Sequence, residues 1–232
     1  MVIGNGMIAT RFAAYAAEKD ITVFASGVSN SSTNEAANFE REIALLNDCI
    51  KNNPNNLLVY FSTCSIYDSS LQSSAYVQHK LNVEALIQKE VIRYLIFRVS
   101  NPVGATGNPH TLLNYLVNHI TQQRPFHAWE YASRNIIDID HMFLICDTLI
   151  KTAAQPSRII NVANPVNYPV ISIIEQIEQY FQTKAHYTLV SEGNSPVIDT
   201  SQIKPIFESL QLRFDKDYLF RVLKKYYPIH DV

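Results

Sequence analysis

Three side chains with complementary chemistry lie close together in the sequence: Thr63, Tyr76 and Lys80. Tyr76 and Lys80 are four residues apart in a helix-like segment, so we expect them on one helix face about one turn apart. A phenol titrates near pH ~10, and a neighbouring ammonium group lowers that value, which would let Tyr76 exchange a proton near neutral pH. A hydroxyl group at Thr63 could hydrogen-bond the same substrate oxygen. The set therefore predicts interconversion of an alcohol and a ketone.

A buried strand positions the first of these residues. Residues 57–61 form a continuous apolar run behind the polar turn 52–56, which is typical of a strand in a parallel sheet. Ser62, Thr63 and Ser65 follow at its carboxyl end, which is the edge where open α/β sheets bind ligands. A Tyr-x-x-x-Lys pair alone more often indicates two residues on a solvated helix face. Its position after this strand favours the chemical interpretation.

A second motif stands at the start of the chain. Gly4, Gly6 and Ala9 form a Gly-x-Gly-x-x-Ala pattern between a short apolar strand and an alanine-rich helix. Gly4 would permit the tight turn, Gly6 would let the backbone approach a pyrophosphate, and Ala9 would keep the helix close to the sheet. A dinucleotide-binding fold should next show an acidic residue at a strand end to grip the adenosine ribose. The strand at residues 21–24 instead runs into residues 25–32, which contain no acid.

Composition narrows the class of protein. In 232 residues, 47% are hydrophobic and 11% aromatic, which is ample for a packed core. The net charge of -2 and the pI near 6.4 indicate neither a nucleic-acid partner nor an anionic membrane surface. No apolar run approaches the ~20 residues of a membrane span, and the start is not typical of a secretion signal. Three separated cysteines predict reduced cytoplasmic thiols, and seven scattered histidines predict no metal site.

Four further segments, taken in order, carry a resemblance to a known family. Residues 62–67 (Ser-Thr-Cys-Ser-Ile-Tyr) resemble a Ser-Ser/Thr-x-x-Val-Tyr-Gly motif, and residues 76–84 resemble Tyr-x-x-x-Lys-x-x-x-Glu. Residues 98–104 resemble Arg-x-x-Asn-x-Tyr-Gly, and residues 134–140 resemble Arg-Asp-Phe-Ile-His-Val-Asp. Together with the glycine turn, these motifs resemble the extended short-chain dehydrogenase/reductase family. Its members are NAD(P)-dependent epimerases, dehydratases and reductases that act mostly on nucleotide sugars.

The resemblance implies an α/β fold: a reduced, Rossmann-like, doubly wound parallel sheet in residues 1–100, followed by a smaller substrate-binding lobe in residues 101–232. It implies NAD or NADP as cofactor, and a homodimer built from the helices at residues 38–51 and 76–90. The catalytic residues would be Thr63, Tyr76 and Lys80. The cofactor-binding residues would be Gly4, Asn5, Gly6, Met7, Ile8, Ala25, Ser26, Gly27, Ser62, Tyr76 and Lys80. The substrate-binding residues would be Ser65, Asn101 and Arg134.

The chain departs from the family pattern in two places. It passes from the first helix straight to the strand at residue 21, so the second and third strand-helix units are absent and residues 1–3 become a sheet edge. Only thirteen positions separate Thr63 from Tyr76, a tight connection for the family. Further helices are predicted near residues 112–122, 140–154 and 171–182, and a strand at residues 158–162 should return to the sheet.

Three side-chain groups keep alternative interpretations. Arg11 could reach a phosphate, although a surface position is commoner. Arg134 could hold a substrate diphosphate or form a structural ion pair with Asp138 and Asp140. Aromatic residues near the predicted second lobe could cover a base or sugar, or simply pack; they are Phe126, Trp129 and Tyr131.

Two functional hypotheses follow. The first is an NAD(P)-dependent reductase or epimerase acting on a nucleotide sugar, in surface polysaccharide biosynthesis. A dehydratase is disfavoured because Cys64 and Ser65 stand where an acidic pair would be usual. The second is a degenerate, non-catalytic family member that serves as a nucleotide- or partner-binding subunit.

Overall fold

A computed structural model describes residues 1–28, 35–152 and 157–229. The strands are β1 (Val2–Ile3), β2 (Ile21–Phe24), β3 (Leu57–Thr63), β4 (Tyr94–Val99), β5 (Asn101–Val103), β6 (Phe126–Trp129), β7 (Ser133–Asp138), β8 (Arg158–Val162), β9 (Asn167–Pro169) and β10 (Tyr187–Val190). The helices are α1 (Met7–Arg11), α2 (Ala36–Asn52), α3 (Ala75–Glu90), α4 (Leu112–Thr121), α5 (Ile139–Lys151), α6 (Val170–Phe181), α7 (Lys204–Ser209) and α8 (Tyr218–Tyr226). Short 3₁₀ helices span Ala13–Ala17, Cys64–Tyr67 and Ser201–Ile203.

The central sheet has the strand order β1-β2-β3-β4-β8, and all of its strands are parallel. Every residue of β3 is buried, which explains its uninterrupted apolar sequence. The chain runs from α1 through a 3₁₀ helix directly into β2, so β1 pairs only with β2 and forms the sheet edge. The predicted reduced parallel sheet and the return of β8 are therefore confirmed.

Helices cover the sheet on both faces, because alternate residues of each strand point to opposite sides. One buried cluster joins β3 and β4 to α1 and α5, and it includes Phe12, Val59, Phe61, Leu95, Phe97 and Met142. A second cluster joins the opposite face to α2 and α3, and it includes Phe24, Leu46, Leu58, Tyr60, Ile87 and Ile96. The helices that carry Glu42, Tyr76 and Lys80 thus pack on the second face.

The second lobe has its own buried core and two small sheets. Strands β5, β7 and β9 form one sheet, and β6 pairs in parallel with β10. The core gathers residues of β7, α4, α6 and α8, including Leu116, Ile120, Ile136, Ile173, Ile177 and Leu223. The predicted helices near residues 112–122 and 171–182 are α4 and α6. The predicted helix at 140–154 is α5, and residues 153 and 154 lie outside the described part of the chain, as do residues 29–32 of the acid-free segment.

The C-terminal helix α8 is bonded to the junction between β7 and α5. Lys225 Nζ donates to Asp138 at 2.8 Å and to Asp140 at 2.6 Å, and the Tyr226 hydroxyl donates to Asp138 at 2.7 Å. Arg11 binds Asp140 through Nε at 2.5 Å and stacks on an aromatic ring of α5. Arg11 is therefore engaged in packing α1 against α5. The division of the chain at residue 100 stays a prediction. No helix in the described residues has the length and apolar character required to cross a membrane.

Candidate active site

A cavity of about 840 Å³ opens along the carboxyl edge of the central sheet. Its wall includes the segments that follow β1 and β2, the ends of β3 and β4, the first turn of α3, and parts of β6 and β7. The position is the one at which open parallel sheets bind ligands. The cavity therefore connects the glycine turn at one end with Arg134 at the other.

Thr63 and Tyr76 come together in this cavity. Ser74 caps the start of α3 by accepting a hydrogen bond from the Val77 amide at 3.2 Å, which fixes Tyr76 in the first helical turn. The Thr63 hydroxyl ends β3, accepts from the Ser65 amide at 3.0 Å, and hydrogen-bonds with the Tyr76 phenol. The short connection between the two residues thus still brings the two hydroxyl groups together.

Lys80 lies in the same cavity wall, but its ammonium group makes its hydrogen bonds to residues other than Tyr76. Its ammonium group donates to Glu42 at 3.0 Å and to the Tyr60 hydroxyl at 2.8 Å. Its Nζ is 6.0 Å from the centroid of the Tyr76 ring. Burial raises the pKa of Tyr76 to about 12, opposed by the hydrogen bond with Thr63 and reinforced by the Glu42 charge. The expected lowering of this pKa by Lys80 is therefore wrong for this arrangement.

Glu42 is the centre of a buried polar cluster. Its carboxylate is fully buried on α2 and binds Lys80, the Tyr60 hydroxyl at 2.6 Å and His79 Nε2 at 3.0 Å. It also accepts from the Val28 amide at 2.8 Å, in the loop that follows β2. One carboxylate thus joins the central strand β3, the helix α3 and a loop of the cavity wall.

The pKa values in this cluster reflect competition between burial and pairing. Burial alone raises the pKa of Glu42, but hydrogen bonds from His79 and Tyr60 and the charge of Lys80 outweigh it and hold the pKa well below its usual range. Burial lowers the pKa of Lys80, and Glu42 opposes that change. The cluster is a charged pair inside the protein that depends on both partners.

The predicted cofactor residues surround the glycine turn. Gly4 has a φ of +128°, and a Cβ atom there would lie 2.4 Å from the Ala25 carbonyl oxygen, so only glycine lets the two strand ends approach. Gly6 immediately precedes α1, and a Cβ atom there would meet no other atom within 4 Å. The Ser26 hydroxyl accepts from Arg41, and the Ser62 hydroxyl donates to Glu84 at 2.5 Å. Ser62 therefore lines the cavity, but its hydroxyl group is already hydrogen-bonded to Glu84.

The described cavity wall offers room for a pyrophosphate at the glycine turn, but no acid at the end of β2 that would hold an adenosine ribose. The Ser100 hydroxyl is buried in the cavity wall and has no hydrogen-bond partner within the described residues, as expected for a group that a ligand would satisfy. Residues 25–28, which follow β2, contain no carboxylate. Asp68 is the one carboxylate of the described cavity wall, and it lies beside Arg134.

The predicted substrate residues occupy the opposite end. Arg134 lies 3.6 Å from Asp68, donates to the Ser133 carbonyl oxygen at 2.9 Å, and is 5.7 Å from the Trp129 ring centroid. Asp138 and Asp140 bind the C-terminal helix instead, so the alternative ion pair of Arg134 with those two acids is wrong. The Arg134 guanidinium is partly exposed and faces the cavity.

Hydrogen bonds between neighbouring residues hold the backbone at the Arg134 end of the cavity. Asn101 donates to the Asn135 carbonyl oxygen at 2.7 Å, and the Asn135 side chain donates to Asn164 and Asn167 at 2.7 and 2.8 Å. Ser65 lies in the cavity wall through the turn that follows β3. Among the predicted aromatic residues, Trp129 lines the cavity, Phe126 is buried in the lobe core, and Tyr131 is exposed.

Glu42 is a residue of the site that the sequence motifs do not identify, although the sequence carries a signal for it. The buried face of α2 consists of Glu42, Leu46 and Cys49, at helical spacing. A lone acid on the apolar stripe of a helix must find a partner inside the protein. That pattern predicts a buried ion pair, but it does not say which cation completes it.

Comparison with solved structures supports the fold. MoeE5 in complex with UDP-glucose and NAD matches with a TM-score of 0.73 at 12% identity, covering 89% of this chain and 77% of that one. RMD from Pseudomonas aeruginosa complexed with NADPH matches with a TM-score of 0.72 at 13% identity, covering 97% of both chains. UDP-glucuronic acid 4-epimerase from Bacillus cereus, complexed with UDP-glucuronic acid and NAD, matches with a TM-score of 0.70 at 16% identity, covering 89% and 74%.

Comparison at the sequence level identifies the family. A search of curated proteins gives no match. The model of the NAD dependent epimerase/dehydratase family matches residues 21–163, more than half of the chain. This match begins at β2 and includes the strand, hydroxyl and Tyr-Lys motifs described above. The resemblance inferred from these motifs is therefore confirmed, and the chain belongs to the NAD dependent epimerase/dehydratase family.

Proposed function

We propose that the protein is an NAD(P)-dependent reductase or epimerase that acts on a nucleotide sugar, in surface polysaccharide biosynthesis in the cytoplasm. The observation that carries this proposal is the convergence of the Thr63 and Tyr76 hydroxyl groups in one cavity. The same cavity offers a glycine turn at one end and the Arg134 guanidinium at the other. A dinucleotide and a sugar diphosphate can therefore be placed on opposite sides of the two hydroxyl groups.

The chain offers a distinct set of residues to hold a dinucleotide. A bound nicotinamide supplies hydride transfer to or from a sugar carbon. The residues proposed to hold the dinucleotide are Gly4, Asn5, Gly6, Met7, Ile8, Ala25, Ser26, Gly27, Ser62, Tyr76 and Lys80; all of them except Gly4 line the cavity. Lys80 is proposed as the ribose anchor, because it lines the cavity and its Nζ would lie 2.6 Å from a Cβ atom at Gly27.

Tyr76 is proposed as the proton donor and acceptor. With a pKa near 12 it keeps its proton at neutral pH, so it can donate that proton to a carbonyl oxygen as the carbonyl is reduced. Thr63 is placed to hydrogen-bond the same oxygen and to orient it. The reverse direction requires the phenolate, which the Thr63 hydrogen bond favours and burial opposes. The arrangement thus fits carbonyl reduction directly, and epimerisation requires a lower Tyr76 pKa in the loaded enzyme.

Arg134 is proposed to bind the diphosphate of the substrate. A guanidinium presents parallel N–H donors that match phosphate oxygens, and Arg134 makes only a long contact with Asp68. Asn101 and Ser65 lie in the adjoining wall and are proposed to contact the sugar. Two of the similar solved structures hold UDP-sugars, which supports a uridine diphosphate sugar as the first substrate class to test.

A second candidate function is supported by the Lys80–Glu42 pair. Lys80 is tied to a buried carboxylate, and the units that would grip adenosine are missing. A non-catalytic subunit that binds a nucleotide or a protein partner would keep such a fold. This candidate predicts that dinucleotide binding is absent, or that binding occurs without turnover.

Calorimetric titration with NADH and NADPH distinguishes the two candidates. Micromolar binding of either dinucleotide, weakened by Gly6→Val, supports a working cofactor site. Gly6 has open space around it, so the valine fills the cradle without a clash inside the protein. Gly107→Val is the matched control, because Gly107 is also unobstructed and lies outside the cavity wall. No binding up to millimolar concentrations would exclude the enzyme.

Turnover is tested with a panel of UDP-sugars and their keto derivatives, followed by NAD(P)H absorbance. Tyr76→Phe removes the proton donor and should lower the rate by about 10²- to 10⁴-fold while dinucleotide binding is retained. An unchanged rate in an assay that detects the wild-type enzyme would contradict the assignment of Tyr76 as the proton donor.

A further inference from the structure

Arg41 stands at the cofactor end of the cavity. It projects from α2, is exposed, and lies in the cavity wall beside the segment that follows β2. Its Nη1 donates to the Ser26 hydroxyl at 3.2 Å, and its Nη2 donates to the Ser26 carbonyl oxygen at 3.2 Å. These neutral partners hold the guanidinium at the strand end without neutralising its charge.

Each of the other charged residues of the described cavity wall lies within 4.0 Å of an opposite charge. Lys80 is bound to Glu42, and Arg134 lies beside Asp68 at the substrate end. Arg41 has no carboxylate within 4.0 Å among the described residues. Positive charge at the glycine-turn end of the cavity therefore comes from Arg41.

The loss of two strand-helix units leaves the adenosine ribose without the acid that would bind its 2′-hydroxyl. Such an acid also repels a 2′-phosphate, so its absence removes a barrier to the phosphorylated dinucleotide. Glu35 is the next acid along the chain, but it accepts from Asn38 and is not part of the cavity wall. No carboxylate of the described cavity wall therefore opposes the Arg41 charge at this end, which suits the binding of an additional phosphate group.

We propose that Arg41 replaces the missing adenosine-binding segment and selects NADPH over NADH by binding the 2′-phosphate. The inference rests on the proposed dinucleotide function and makes it more specific. A guanidinium can release the two long contacts with Ser26 and form a bidentate pair with a phosphate, which is a stronger, charge-assisted interaction. The neutral 2′-hydroxyl of NADH offers no comparable partner.

Calorimetric titration of three proteins tests this inference: the wild type, Arg41→Gln and Lys51→Gln. Lys51 is the matched control, because it is exposed on the last turn of the same helix and lies outside the cavity wall. The wild type should bind NADPH at least about 10-fold more tightly than NADH. Arg41→Gln should weaken NADPH binding by about 10- to 100-fold and change NADH binding by less than about 2-fold. Lys51→Gln should leave both affinities unchanged.

The outcomes separate this inference from the proposed function. Equal affinities in the wild type, or an equal loss for both dinucleotides in Arg41→Gln, would overturn the assignment of Arg41 and leave the cofactor site standing. Titration with adenosine 2′,5′-bisphosphate and with 5′-AMP repeats the comparison with ligands that lack the nicotinamide. If the bisphosphate binds and depends on Arg41 while neither dinucleotide supports turnover, the enzyme proposal fails and the Arg41 site stands. No binding of any of these nucleotides would overturn both.

Discussion

Two cations face the same cavity, and their surroundings differ. The Lys80 side chain is 3% exposed, lies 3.0 Å from Glu42, and also bonds Tyr60. The Arg134 side chain is 21% exposed and lies 3.6 Å from Asp68. A guanidinium carries five N–H donors, and most of those of Arg134 have no protein partner in the described structure. The fold thus fixes Lys80 and leaves Arg134 able to bind a ligand.

Lys80 and Arg134 differ because the two side chains differ in their access to water. Removing an ammonium group from water costs several kcal/mol unless a carboxylate and further hydrogen bonds compensate for it. Glu42 provides that compensation, and it is itself bonded to the loop after β2, so the position of Lys80 depends on the cavity wall. Arg134 is partly exposed, so water compensates part of its charge; burial still lowers its pKa and Asp68 opposes that change, but the dependence on the carboxylate is weaker than for Lys80. Removing each carboxylate should therefore have unequal effects.

The largest expected effect is that of Glu42→Ala on the free energy of unfolding. The substitution leaves Lys80 buried without a counter-charge and should destabilise the protein by about 3–5 kcal/mol. Asp68→Ala should cost about 1–2 kcal/mol, because Arg134 remains hydrated and mainly the Ser70 hydrogen bonds are lost. Urea unfolding followed by circular dichroism measures both. Equal losses would show that Lys80 is no more dependent on its partner than Arg134.

The second expected effect is a dependence of the free energy of unfolding on pH. The folded pKa of Glu42 is held well below its unfolded value near 4.5, so the folded state binds fewer protons in acid. Its stabilising contribution is therefore complete above about pH 5 and is lost as the pH falls through the acid range. The stability difference between wild type and Glu42→Gln should shrink by about 2 kcal/mol between pH 6 and pH 3.

An exposed carboxylate on the same helix, Glu40, supplies the matched control for this titration. Glu40→Gln should leave the dependence of unfolding free energy on pH unchanged. Urea titrations at several pH values give the comparison. A wild-type minus Glu42→Gln difference that stays constant from pH 6 to pH 3 would contradict a charged Glu42 in the folded protein.

The third effect tests how firmly Lys80 is held. A Cβ atom at Gly27 would lie 2.6 Å from Lys80 Nζ and 3.2 Å from Glu42 Oε1. Because both side chains are bonded in place, Gly27→Ala should destabilise the protein by about 1–3 kcal/mol. Gly6→Ala, which meets no atom within 4 Å, should change the unfolding free energy by less than about 0.5 kcal/mol. Equal effects would mean that Lys80 moves aside freely.

Sequence reasoning predicted the elements around the cavity better than the bonds within it. The apolar run before Ser62 identified β3, because a strand buried on both faces leaves a local pattern. The family motifs led to Thr63, Tyr76 and Lys80, and the structure brings all three into one wall. The partner of Lys80 was not predictable, because Glu42 lies 38 residues away and several polar residues of α2 were possible. Side-chain pairing depends on tertiary packing, which no local pattern records.

Of the substitutions aimed at the two cations and their carboxylates, Arg134→Ala should have the smallest effect on stability, together with a large effect on binding. Its ion pair is long and partly exposed, so Arg134→Ala should change the unfolding free energy by less than about 1 kcal/mol. Binding of UDP should weaken by about 10- to 100-fold, because a charge-assisted pair with the diphosphate is lost. Arg134→Lys should recover only part of that affinity, since a lysine keeps the charge without the planar fork. Calorimetric titration with UDP measures each variant. If Arg134→Ala unfolds the protein as readily as Glu42→Ala, or binds UDP as tightly as the wild type, Arg134 is a structural cation like Lys80, and the substrate diphosphate must be held elsewhere.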